Sequence, residues 1–217
     1  MENEIKLTFP SDEALFSVME EEWLKSCVTV LEKKTETYEN RYLDTPSRYL
    51  SGTRSTMRIR HVLGSNYIQT VKTRGGLDMR TGLSSHYEWN RRTDDRDFDI
   101  DAFLSSVKDQ EDPVEYAASV LIPLKDKEIV EICRTEFTRT TYFVRFNSSE
   151  MEICLDSGKC LGGGKHLPIC EMEIELTSGK VEDIKKLGEL VRMHTSVEYS
   201  KLSKLARCLS LLPEVRS

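Results

Sequence analysis

Two stretches near opposite ends of the chain, Glu2-Asn3-Glu4-Ile5-Lys6-Leu7 and Glu171-Met172-Glu173-Ile174-Glu175-Leu176, alternate ionisable and apolar residues with period two. That period belongs to a β-strand with two unlike faces. One face carries Ile5, Leu7 and Phe9 in the first stretch, and Met172, Ile174 and Leu176 in the second. The other carries Glu2, Glu4 and Lys6, then Glu171, Glu173 and Glu175. Neighbours on one face of a strand lie about 6.5–7 Å apart. Carboxylates in such a row repel one another unless water or a cation neutralises them. The pattern therefore describes a solvated sheet face or a site for a hard metal ion.

The same alternation recurs along the chain. Arg58 and Arg60 oppose Met57 and Ile59, and Lys72 shares a face with Thr70. His86, Glu88 and Asn90 lie together, as do Glu152 and Asp156 opposite Met151, Ile153 and Leu155. Arg139 falls within a segment rich in Thr and Phe. Strands are predicted over 2–9, 28–43, 56–63, 66–73, 84–92, 150–156 and 168–177, with a strand pair over 128–146. Turns fall at Asp44-Thr45-Pro46, Gly52 and Gly64-Ser65, and loops at Gly75-Gly76 and Gly162-Gly163-Gly164. Helices are predicted over 12–25, 99–108, 113–120, 181–194 and 199–211. Ser11 or Asp12 caps the first of these, and its Phe16 and Trp23 are assigned to the core. The sum is seven to nine mostly antiparallel strands in a single domain over 1–217.

The apolar strand faces require burial, which the helices at 12–25 and 181–194 can supply. The charged faces then either meet solvent on an open sheet or line the inside of a closed barrel. Repetition over several strands, with acids on some and Arg or Lys on others, favours a polar tunnel. Both signs of charge suit a polyphosphate. Arg and Lys grip its oxygens, Arg through bidentate forks. Carboxylates hold Mg²⁺ or Mn²⁺, which polarises the terminal phosphoryl group.

Bulk properties narrow the classes further. Charged residues make up 31% of the chain and the formal net charge is −6, a globular profile that argues against general nucleic-acid binding. No segment approaches the roughly 20 apolar residues of a membrane span, and no signal-peptide pattern opens the chain, so the cytoplasm is the expected compartment. The six cysteines show no C-x-x-C spacing and read as free thiols.

Taken in order, these segments resemble a known family. Glu2, Glu4 and Lys6 form an E-x-E-x-K strand like that of the CYTH superfamily, the triphosphate tunnel metalloenzymes. Tyr42-Leu43-Asp44-Thr45-Pro46 resembles its Y-x-D-T-P turn, Met57-Arg58-Ile59-Arg60 its L-R-I-R strand, and Thr70-Val71-Lys72 its T-x-K. Tyr87-Glu88-Trp89, Thr135–Arg139 and Glu152–Gly158 resemble three further strands. Pro168–Leu176 is similar to the acidic strand of bacterial inorganic triphosphatases, and Leu202–Arg207 to the helix that plugs one tunnel mouth.

The resemblance implies a mainly-β (α+β) fold, a closed antiparallel eight-stranded β-barrel with flanking helices and a C-terminal plug helix. It implies Mg²⁺ or Mn²⁺ on Glu4, Glu171 and Glu173, with Glu2, Asp156 and Glu175 as further ligands. Glu4 is then expected to face Glu171 and Glu173 across the cation. Lys6, Arg58, Arg60, Lys72 and Arg139 are implied as phosphate grips, joined by Lys204 and Arg207. Glu88 and Glu152 are candidates to orient water, bind metal or form salt bridges. His86 stands where close bacterial relatives often carry Arg, and is expected to be non-catalytic. The implied partner is a small-molecule triphosphate, first inorganic tripolyphosphate, with a monomer or homodimer as the assembly. Alternatives are thiamine triphosphate, a nucleoside or RNA 5′-triphosphate end, the class IV adenylyl cyclase reaction, or a non-catalytic polyphosphate-binding module.

Overall fold

The N-terminal alternation forms strand β1 (Glu2–Thr8), and eight further strands follow it. They are β2 (Val28–Asp44), β3 (Thr56–Val62), β4 (Tyr67–Leu77), β5 (Leu83–Thr93), β6 (Val130–Phe146), β7 (Ser149–Gly162), β8 (Lys165–Ser178) and β9 (Glu198–Tyr199). Among the described residues seven helices accompany them: α1 (Asp12–Ser17), α2 (Glu22–Cys27), α3 (Tyr49–Gly52), α4 (Ile100–Val107), α5 (Val114–Leu121), α6 (Val181–Thr195) and α7 (Lys204–Leu209). The computed structural model describes residues 1–213, with Arg74 by its backbone alone.

The strands run in the order β5-β4-β3-β2-β6-β7-β8-β1-β9, and β1 pairs back onto β5. β1 to β8 therefore close a ring, as the resemblance implied, and every pairing in it is antiparallel. One edge of β1 is shared. Its Glu2–Ile5 segment pairs with β5, and Leu7 and Thr8 pair with β9.

The apolar faces point outward under helices. Ile5, Leu7, Met151, Ile153, Leu155, Met172 and Ile174 form one core with Ile184, Leu187 and Val191 of α6 and Leu15 and Leu24 of α1 and α2. Met57, Ile59, Val71 and Trp89 form a second with Phe103 and Val107 of α4 and Ala117 and Leu121 of α5. A third lies on the charged side of the strands, where Cys208 of α7 packs against Tyr42, Cys133, Phe137 and Cys160. Helix α7 thus enters the ring, held by Ser203, whose Oγ accepts from the Ala206 amide at 3.1 Å.

Several local expectations are corrected. The helix over 12–25 breaks into α1, a 3₁₀ turn at Val18–Glu20 and α2, because Glu21 is extended (ψ 131°). That break turns α1 toward β7 and β8 and α2 toward β2. It leaves Phe16 exposed at 38% instead of in the core, while Trp23 stacks on His194 at 4.4 Å. The strand pair over 128–146 is a single strand, β6, whose sequence offers no Gly or Pro to turn it. The turn comes after it, at Asn147 (φ 53°). The Gly75-Gly76 loop is instead a continuation of β4, with a register shift between Thr73 and Gly76. Gly75 lies so close to the Ser85 carbonyl that a Cβ there would overlap it. The helix over 199–211 is shorter, because Glu198 and Tyr199 join the sheet first. Among the described residues all cysteines are free, and no helix is long and apolar enough to cross a membrane.

Asp183, in the first turn of α6, accepts from Asn147 Nδ2 at 2.8 Å and Ser149 Oγ at 2.6 Å. These bonds, Ser149 first, hold its carboxyl below the usual range. A carboxyl lowered in the folded state stabilises above its unfolded pKa of about 4 and loses that contribution as pH falls through the folded value. Asp183→Asn is therefore expected to weaken the protein at pH 7, and the gap to wild type should narrow at a pH below the unfolded value of about 4. Urea titrations at the two pH values check this.

Candidate active site

The ring encloses a cavity of about 800 Å³. Alternation directs Glu2, Glu4 and Lys6 of β1 into it, together with Arg58 and Arg60 of β3 and Lys72 of β4. Glu88 of β5, Arg139 of β6, Glu173 and Glu175 of β8 and Lys204 of α7 add to the charged lining, with Arg54 and Lys201 also in the wall. Asp156, Glu171 and Arg207 do not line the cavity but lie against Lys204 or Glu171 at its α7 end. A second cavity, about 580 Å³, lies between Tyr49, Tyr87 and Tyr116, and the described residues of its wall include no Lys, Arg, Asp or Glu.

On the basic wall, Arg58 donates from Nη2 to Thr70 Oγ1 at 3.0 Å, and its buried Nε has no acceptor. Arg60 donates from Nε to Asn40 Oδ1 at 2.9 Å and stacks on Tyr38 at 4.4 Å. Among the described residues neither guanidinium is within ion-pair distance of a carboxylate. Burial, then the charges of Arg58 and Arg139, push the Arg60 pKa down to about 10. Two adjacent half-buried cations without a counter-ion make a demand for an anion.

At the α7 end the balance is the reverse. Asp156 and Glu171 are fully buried, and with Glu173 they bring carboxylate oxygens within 4.8 Å of one another. The centre of this group is held by the Lys204 ammonium, 2.6 Å from Asp156 Oδ2, 2.6 Å from Glu171 Oε1 and 2.9 Å from Glu173 Oε1. The Glu171 approach is close but poorly angled for a hydrogen bond. Arg139 forks onto Asp156 with two bonds of 2.6 Å and also reaches Glu173, and Arg207 Nη1 lies 3.5 Å from Glu171 Oε2. Burial pushes the Glu173 carboxyl up, but Lys204, Lys6 and Arg139 together hold it well below the usual range. Lys204 is likewise held well above its own range by Asp156, Glu171 and Glu173, against the opposing effect of burial.

Toward β5 the acids outnumber the bases. Lys72 Nζ lies 2.7 Å from Glu2 Oε2 and also contacts Glu88, while Lys6 bridges Glu4 and Glu173. Glu4 thus meets Glu173 through the Lys6 ammonium, and Glu171 faces Lys204 instead. Glu175 lies directly across from Glu4 in the β1–β8 register and from Glu152 in the β7–β8 register. Burial raises the Glu2 pKa to about 9 and the Glu175 pKa to about 7, and nearby glutamates add to both shifts. Burial thus favours the protonated form of both carboxyls, against the opposing pull of Lys72. Among the described residues, the carboxylates whose oxygens lie within reach of a single divalent cation are those of Asp156, Glu171 and Glu173. His86 Nε2 lies 2.6 Å from Ser84 Oγ and 3.6 Å from Glu4 Oε1, and burial lowers its pKa.

Four residues with structural roles here were not singled out by the sequence as site residues. Asn40 and Tyr38 seat Arg60, and Thr70 and Asn90 link the two walls. Thr70 Oγ1 donates to Asn90 Oδ1 at 2.7 Å, and Asn90 Nδ2 donates to Glu88 Oε1 at 2.8 Å. The alternation of β2, with Tyr38, Asn40 and Tyr42 on one face, carried the signal for the first pair.

A closed antiparallel ring with a lumen of mixed charge, plugged by a short helix, defines a tunnel protein. Residues 1–209 match the CYTH domain, and the chain belongs to the CYTH domain family. It is 30% identical over 179 residues to the inorganic triphosphatase of Haemophilus influenzae, covering 82% of this chain and 47% of that protein. The chain thus spans about half the length of this curated relative. Among solved structures it resembles a Hippeastrum protein described as an adenylyl cyclase candidate with a dominant triphosphatase activity. There the TM-score is 0.66 and the identity 24%, over 98% of both chains. A Bacillus halodurans protein described as an adenylate cyclase candidate gives a TM-score of 0.57 at 18% identity, over 94% of this chain and 96% of that one. A Pyrococcus horikoshii protein gives 0.55 at 20%, over 97% and 99%.

Removing one partner of a buried ion cluster costs about 3–5 kcal/mol, because the remaining charge is left unpaired. Lys204→Met is expected to lower Tm by roughly 6–20 °C. Glu171→Gln in the same background should restore part of that loss, and differential scanning calorimetry of both variants measures it.

Proposed function

We propose that the tunnel binds a triphosphate and hydrolyses its terminal phosphoanhydride with the help of Mg²⁺ or Mn²⁺. The favoured substrate is inorganic tripolyphosphate, giving pyrophosphate and phosphate. The observation that carries this reading is the pair Arg58 and Arg60, half-buried residues facing the lumen with no carboxylate partner among the described residues. The likeness to the Haemophilus influenzae inorganic triphosphatase supports the choice of substrate.

In this reading Arg58 and Arg60 take the phosphate oxygens first, since they give up no ion pair to do so. Lys6, Lys72 and Arg139 exchange a carboxylate partner for a phosphate oxygen as the substrate enters. Lys204 and Arg207 neutralise the α7 end and keep the polyanion off Asp156 and Glu171. Glu2, Glu4, Glu173 and Glu175 are the proposed metal-holding carboxylates, with Asp156 and Glu171 engaged by Lys204. When bound, the ion supplies Lewis-acid charge to the terminal phosphoryl group. Glu88, already fixed by Lys72 and Asn90, is placed to accept a hydrogen bond from the attacking water.

The test is a panel of tripolyphosphate, ATP, thiamine triphosphate and 5′-triphosphate RNA, each with Mg²⁺, Mn²⁺ or EDTA. Phosphate, pyrophosphate and cyclic AMP are scored. Metal-dependent release of phosphate and pyrophosphate from tripolyphosphate is expected, and no product from any substrate would sink the proposal. Glu4→Gln should lower kcat by about 10²-fold or more while leaving tripolyphosphate affinity within a few-fold. Arg60→Met should chiefly weaken binding, read as a raised KM or by calorimetry with tripolyphosphate.

A further inference from the structure

Strand β5 runs on past its partner. β1 pairs with it from Leu83 to His86, and among the described residues no strand lies beside that edge of β5 from Tyr87 onward. Unpaired backbone groups on such an edge need other partners. Here they come from the segment between α4 and α5. Asp112 Oδ2 accepts from the Glu88 amide at 3.2 Å, and the Asp112 carbonyl accepts from Trp89 Nε1 at 2.9 Å. Gln110 Oε1 accepts from the Asn90 amide at 3.3 Å, and Gln110 Nε2 donates to the Asn90 carbonyl at 2.7 Å. The Gln110 amide therefore bonds Asn90 as a neighbouring strand's peptide would.

Asp112 does one thing more. Its Oδ1 accepts from the Met1 nitrogen at 3.0 Å, and its side chain is only 12% exposed. One carboxylate thus ties the residue before Glu2 to the backbone of Glu88. Glu2 and Glu88 are the two acids that hold Lys72. Asn90, bracketed by Gln110, carries the link through Thr70 to Arg58. Neither Asp112 nor Gln110 lines the tunnel.

We propose that Asp112, assisted by Gln110, is a positioning residue that registers β1 against β5 beyond their paired segment and so sets the Glu2–Lys72–Glu88 spacing in the lumen. Its effect on turnover rests on the triphosphatase reading, but its effect on Glu88 does not.

The experiment compares Asp112→Ala and the near-isosteric Asp112→Asn with Glu111→Gln, a control in the same segment. NMR hydrogen exchange on the substrate-free protein reads the first effect. The Glu88 amide should exchange about 5–10-fold faster in Asp112→Ala, with amides of β2 and β6 unchanged. For tripolyphosphate, KM should rise about 5–10-fold in Asp112→Ala and less in Asp112→Asn, with Glu111→Gln at wild-type values. Once Glu88→Gln is present, adding Asp112→Ala should change KM little, because both act through one group. Unchanged exchange at Glu88, acceleration spread evenly over all strands, or full additivity with Glu88→Gln would overturn the proposal. If the wild-type protein hydrolyses no triphosphate, the function reading fails while the exchange result still decides on Asp112.

Discussion

Charge balance inside a closed ring is the constraint on which the rest of this structure depends. Ionised groups taken out of water cost several kcal/mol each unless an opposite charge or hydrogen bonds replace the solvent. Here the compensation is uneven along the lumen. At the α7 end Lys204, Arg139 and Arg207 match Asp156, Glu171 and Glu173, and Lys204 is inserted among all three. Toward β3 the cations Arg58 and Arg60 are in excess, and toward β5 the four carboxyls of Glu2, Glu4, Glu88 and Glu175 share the ammoniums of Lys6 and Lys72. The unsatisfied parts face one cavity, one asking for an anion and the other for a cation.

This arrangement inverts the usual use of a small barrel, whose interior is filled by side chains. Because the inside is charged, the apolar strand faces turn outward and the helices must cover them. Helix α6 lies over β1 and β8, α1 and α2 over β7, β8 and β2, and α4 and α5 over β3 to β5. The helices are thus the other half of the core, and the tunnel owes its shape to a framework packed from outside. Helix α7 is the exception. It enters the lumen with Cys208 against Phe137 and Cys160, and this placement brings Lys204 to the acids.

Much of the ring and of its lining was readable in the chain. Period two on β1, β3, β7 and β8 assigned Glu4, Lys6, Arg58, Arg60, Asp156 and Glu173 to one side and Ile5, Met57, Ile59 and Ile153 to the other. What was hidden was which charges meet. Glu171 and Glu173 share a face and a motif, yet Glu173 touches Lys6, Arg139 and Lys204 while Glu171 touches Lys204 and Arg207. Asp112 and Gln110 were hidden too, because an Asp before a Pro reads as a turn residue and nothing local shows that a strand edge lies beside it.

The sequence by itself determined the strand faces, the sign of the charges on each and the need for helices over the apolar side, because these follow from local periodicity and from the need to bury apolar surface. Only the tertiary structure decided that β1 returns to β5 and closes the ring. Only it placed the Lys204 ammonium among three acids and left Arg58 and Arg60 without a counter-ion. Those outcomes depend on distances between residues far apart in the chain, and Coulomb energy is set by such distances and by the local dielectric, which periodicity does not encode.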